Sequence, residues 1–120
     1  MTVPCYQSLM LPLMSRAAEA IRPVSIRELR ARIAGDLGLS PEQLAERSTN
    51  SREGTFHNRL HWAKQYLTRA GLLEPTCRGY FQLTDEGRAL LATKPATVNN
   101  KTLQRYPAFV AWRYRHRARQ

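Results

Sequence analysis

Acid is missing from the last part of this 120-residue chain. All nine Asp and Glu lie at or before Glu86, and the 34 residues beyond it hold eight Lys and Arg, a local charge of +8 in a total of +10. Asymmetry of that sign makes a polyanion the expected partner. Cysteine is scarce. Cys5 and Cys77 lack metal-ligand spacing, and without a signal peptide they are expected as free thiols. Long apolar runs are lacking too. Leu9 to Met14 is too short to span a bilayer and is broken by Pro12, so a cytoplasmic chain with no membrane partner is expected. Neither an internal repeat nor a low-complexity block occurs. At 42% hydrophobic residues, the chain has room for one domain with a modest core and an extension.

What is present centres on Thr55 to Leu91. Phe56, Leu60, Ala63, Leu67 and Ala70 recur at helical steps and stack into one apolar stripe. Gly71 stops that helix by reaching the left-handed conformation cheaply. Two short strand-like runs, Leu72 to Glu74 and Tyr80 to Leu83, flank Pro75-Thr76-Cys77-Arg78-Gly79 and read as a hairpin. Thr84 then caps a further helix, with Asp85 and Glu86 set against its positive end. Helix, hairpin, helix is the second half of a winged helix-turn-helix.

The outward face of the stripe's helix bears the candidate binding residues. At 100° per residue, Asn58, His61, Gln65 and Thr68 lie opposite the stripe, with His57 and Lys64 on one flank and Arg69 on the other. No acid occurs between Thr55 and Ala70. Amides and imidazoles suit base edges; Lys and Arg suit phosphates. Ser51 and Arg52 precede the helix, where phosphates are commonly held, and Arg78 sits at the hairpin tip. An ordinary solvated face has a similar make-up; the hairpin and the charge balance favour nucleic acid. Trp62 falls nearer the polar face, where it can pack on the hairpin, and Tyr66 borders the core.

Taken in order, Tyr6 to Ile21 reads as the first helix, with Pro12 either kinking it or near its start. The segment Ile21 to Val24 turns the chain and can lend a strand to the sheet. Ser25 with Glu28, and Ser40 with Pro41 and Gln43, have capping spacings that open a second helix to Leu37 and a short third to Arg47. After a helix from Asp85 to Ala92, Thr93 to Asn100 reads as a linker, and Thr102 to Tyr106 and Pro107 to Tyr114 as two short helices. The fold class expected is mainly α with a small antiparallel β-hairpin, a winged helix-turn-helix. Residues 1–93 would form the domain and 94–120 a basic extension.

The chain resembles the N-terminal domain of the Mrr restriction-system proteins. The residues that carry the likeness are Tyr6-Gln7, Leu9 to Leu13, Ser25 to Glu28, Phe56, Asn58-Arg59, Trp62-Ala63, Tyr66-Leu67, Ala70 to Leu73, Arg78-Gly79, Phe81, Leu83-Thr84 and Gly87. Leu103, Tyr106-Pro107 and Phe109 look like the segment that follows the domain there. The resemblance implies a winged-helix module that delivers a nuclease to double-stranded DNA, methylated in some members. The nuclease domain of that family carries an Asp and then Glu or Gln one residue before Lys. No Glu-x-Lys or Gln-x-Lys occurs in this sequence, so no catalytic residue is assigned.

Rival constellations are thin. His57 and His61 have a metal-clamping spacing, but Asn58 stands where the zinc-protease motif needs Glu, and no third ligand is evident. Neither metal nor cofactor is expected. Two classes stay open: a DNA-binding module, or a winged helix that stands alone as a dimerisation, protein-docking or transcription-regulating domain, with a homodimer compatible with both.

Overall fold

The computed structural model describes residues 4–45 and 54–118, the side chains of 116–118 excepted. A 3-10 turn, Tyr6–Leu9, runs straight into α1, Met10–Glu19. The first helix is thus shorter than the sequence predicts and tighter at its start. Pro12 lies in its first turn, where a backbone amide has no intrahelical acceptor to lose.

A two-residue strand, β1, Val24–Ser25, follows, and Ser25 also caps α2, Ile26–Leu37, by accepting from the Glu28 amide at 3.2 Å. Gly38, with φ of 65°, ends α2 in the left-handed region. α3, Pro41–Ala45, opens with a reciprocal cap: Ser40 Oγ accepts from the Gln43 amide at 3.1 Å, and Gln43 Oε1 from the Ser40 amide at 2.8 Å.

The periodic stretch forms α4, Thr55–Arg69, and its stripe is buried throughout: Phe56, Leu60, Ala63, Leu67 and, just beyond, Ala70. Each large member contributes roughly 1.5–3 kcal/mol through removal from water. The helix ends in a Schellman motif, with Leu72 N–H donating to Leu67 O at 3.0 Å and Gly71 N–H to Thr68 O at 3.1 Å. Gly71 makes this possible at φ of 84°.

β2, Leu73–Pro75, and β3, Tyr80–Leu83, form the hairpin, and β1 joins the far edge of β3 in an antiparallel sheet of order β1-β3-β2. Val24 faces Phe81, and Leu73 faces Leu83. This element and strand order is that of a winged helix: mainly helical, with one small antiparallel sheet. The central strand places Phe81 and Leu83 in the core. Thr84 then joins wing to α5, Asp85–Ala92: its hydroxyl donates to Gly71 O at 2.6 Å and accepts from the Gly87 amide at 3.0 Å.

The chain beyond α5 packs rather than departs. α6, Asn100–Leu103, is held by an Asn99–Thr102 capping box, and Asn100 reaches the start of the chain: its amide donates to Gln7 Oε1 at 2.9 Å and its Nδ2 to Tyr6 Oη at 2.7 Å. α7, Pro107–Ala118, lies along α4. Val98, from the stretch expected as a linker, shares the buried cluster with Leu103 and Phe109. No helix among the described residues is long and apolar enough to cross a membrane.

Candidate nucleic-acid interface

Burial of the stripe fixes the rotation of α4, and that rotation turns the predicted face outward. His61, Trp62, Gln65 and Arg69 are exposed; His57, Asn58, Lys64 and Thr68 are half-buried at its margins. Asn58, His61, Trp62, Lys64 and Gln65 line one shallow depression of about 290 Å³. The structure therefore brings four of the predicted residues and Trp62 onto one surface, with Thr68 continuing it towards the helix end. Arg78 stands apart on the wing. Ser51 and Arg52 lie outside the described residues.

Local contacts set what each side chain can offer. Lys64 leans toward the sheet, its Nζ 5.2 Å from the centre of the Phe81 ring, and burial pushes its pKa below the ordinary lysine value. Thr68 donates its hydroxyl proton to Lys64 O at 2.7 Å, which leaves its oxygen lone pairs as the free function. His57 and His61 stand with Nε2 atoms 3.1 Å apart, and Arg30 Nη1 of α2 lies 3.3 Å from His57 Nδ1. Among the described residues no group of three His, Cys, Asp or Glu is placed to hold a metal.

The wing tip is a tight turn. Tyr80 N–H donates to Cys77 O at 2.8 Å, and Gly79 takes φ of 81°, the type II signature. That turn sets Arg78 at the corner of the wing as an exposed residue, with Cys77 beside it as an exposed free thiol.

The far flank of α4 holds what the sequence reading missed. Trp62, expected on the hairpin, instead meets the Tyr66 ring edge-on at 6.3 Å. Tyr66 is the centre of an aromatic cluster, with ring centroids 4.9 Å from Tyr6, 5.8 Å from Phe109 and 5.3 Å from Trp112. Burial, and next the Tyr6 phenol, hold the Tyr66 hydroxyl above its usual pKa, so it stays neutral and accepts from Arg113 Nη1 at 2.8 Å. Arg69 lies 5.4 Å over Trp112. The available signal was the spacing of Ala108, Trp112 and Arg115, one face of a helix, but nothing in that spacing names the helix it would meet.

The element order, the central strand and the outward polar helix face define a winged helix-turn-helix module. Residues 6–93 match the model of the Mrr N-terminal domain, and the chain belongs to that family. It is 34% identical over 95 residues to the Type IV methyl-directed restriction enzyme EcoKMrr of Escherichia coli strain K12. The match takes in 79% of this chain and 31% of the enzyme, so the chain spans about a third of its relative's length. No solved structure matches the chain.

Proposed function

We propose that the chain is a double-stranded DNA-binding module, the targeting part of a modification-dependent restriction endonuclease that acts in the cytoplasm, and that it does not itself cut. The observation that carries this reading is the outward face of α4. Asn58, His61 and Gln65 lie there about one turn apart, with Lys64 and Arg69 at the edges and no acid along the helix. Seated in a major groove, the amides meet base edges while the cations fix register on phosphates. Asn or Gln paired twice with adenine gives roughly 1–3 kcal/mol of discrimination. Because the relative is a methyl-directed restriction enzyme, a methylated duplex is the first target to try.

Competitive binding across methylated and plain duplexes tests this. Expected is binding that falls steeply with salt, and a preference that Asn58→Ala and Gln65→Ala compress without lowering thermal stability. If both variants discriminate like the parent, the face is not the reader. Concentration-dependent self-association with no duplex binding would make the chain a docking domain instead.

A further inference from the structure

The outward face of α4 lies between two unlike flanks. On one side His57 and Lys64 reach toward α2 and the sheet, through Arg30 at 3.3 Å and the Phe81 ring at 5.2 Å. On the other side Tyr66 and Arg69 meet α7, through Trp112 at 5.3 and 5.4 Å. Between α4 and α7 runs an open groove of about 450 Å³ lined by Lys64, Gln65, Thr68, Arg69, Ala108, Trp112 and Arg115. Three of those seven carry positive charge and none is acidic. Gln65 belongs to both depressions, so the groove is continuous with the face assigned to base reading.

A helix in the major groove, about 12 Å wide, has a sugar-phosphate backbone on either side. The wing and its Arg78 project from the sheet side. We propose that α7 is the matching wall on the other side, and that the α4–α7 groove seats the phosphates of the DNA strand flanking the recognition helix, between Arg69 and Arg115. This rests on the DNA-binding reading and extends it: α7 lies beyond residue 93, where the family match ends, yet supplies part of the interface. Trp112 stacked beneath Arg69 holds that guanidinium at the rim, which lowers the ordering cost of a phosphate contact. Such contacts carry no base code, so α7 adds affinity to every sequence alike.

The test is the salt dependence of duplex binding by the full chain and by Arg115→Ala, with Lys101→Ala as control. Lys101 removes the same charge from the same extension, but it is exposed and lines a different cavity, beside Thr93 and Arg105. Expected for Arg115→Ala is a slope of log affinity against log salt reduced by about 0.9, weaker binding to methylated and plain duplexes by a similar factor, and an unchanged melting temperature. Lys101→Ala is expected to leave the slope close to the parent's. An unchanged slope in Arg115→Ala, or an equal fall in both variants, overturns the groove while leaving the module reading intact. A parent chain that binds no duplex overturns both.

Discussion

Arg113 Nη1 donates to the Tyr66 hydroxyl at 2.8 Å, with its guanidinium carbon 5.4 Å over the same ring. One residue of α7 thus holds one residue of α4 both by its edge and by its face. Around that pair, Phe109 is sealed from solvent and Leu103 with it. Burial of Phe109 and Leu103 around the contact joins the proposed 1–93 domain to the proposed 94–120 extension by an apolar term that salt does not screen.

Phe109→Ala should accordingly cost the whole chain roughly 3–5 kcal/mol, the range for a truncated core aromatic that leaves a cavity. A single cooperative melt displaced to lower temperature is expected. If a small transition were lost while the main one stayed in place, α7 would be a separate unit laid on the domain.

Gly87 makes a close approach that no larger residue tolerates. A Cβ there would stand 2.4 Å from Leu72 O and 2.6 Å from Leu83 Cδ1. Alanine would gain up to about 1 kcal/mol of helix propensity, but overlap with a backbone carbonyl costs about 1–3 kcal/mol or more, so the clash wins. Gly87→Ala should lower Tm by several degrees. Gly35→Ala, in open space on α2, should instead raise stability by roughly 0.5–1 kcal/mol. Equal effects from the two would remove the packing explanation.

Much of this architecture was legible because it is local. The stripe of α4, the Gly71 stop, the Ser25 and Ser40 caps and the hairpin each declare themselves within a few residues, and burial of the stripe then dictates the outward face. What was not legible spans distance or depends on rotamers. Tyr66 and Arg113 are 47 positions apart, and no periodicity couples them. Trp62 turning to Tyr66, Lys64 leaning on Phe81 and Thr68 bonding its own helix are choices among side-chain conformers that spacing does not encode. The linker expectation over Thr93 to Asn100 followed from Pro95 and the paired Asn. Asn99 caps α6 and Asn100 bonds Gln7 and Tyr6, so polar residues there secure the packing.

Acid should loosen the tie between α1 and α2. Arg16 Nε donates to Asp36 Oδ2 at 2.7 Å, its Nη2 pairs with the other carboxylate oxygen, and its Nη1 reaches Glu19 at 2.9 Å. The Arg16 hydrogen bond holds the Asp36 carboxyl below its usual pKa. A depressed folded value stabilises above the unfolded pKa of about 3.9, and that contribution is lost as pH falls through the folded value. Asp36→Asn should therefore melt slightly below the parent at about pH 7, with the gap closing near pH 2. A gap that persists in acid would place the effect in helix propensity rather than the ion pair.

Arg78 offers an independent test of the proposed DNA complex. The type II turn fixes it at the wing's corner, with its side chain in solvent and none of its atoms needed for the core. A cation so placed can reach the backbone or the minor groove beside the one that α4 would occupy in the proposed complex. Arg78→Ala should weaken every duplex by a similar factor and flatten the salt slope by about 0.9, with Tm unchanged. Arg78→Lys should keep the slope, since the charge remains, and forfeit only the two-pronged geometry of the guanidinium. Were the alanine variant to bind with the parent's slope and affinity, the wing would have no part in the complex. The duplex would then be held by α4 and α7 alone.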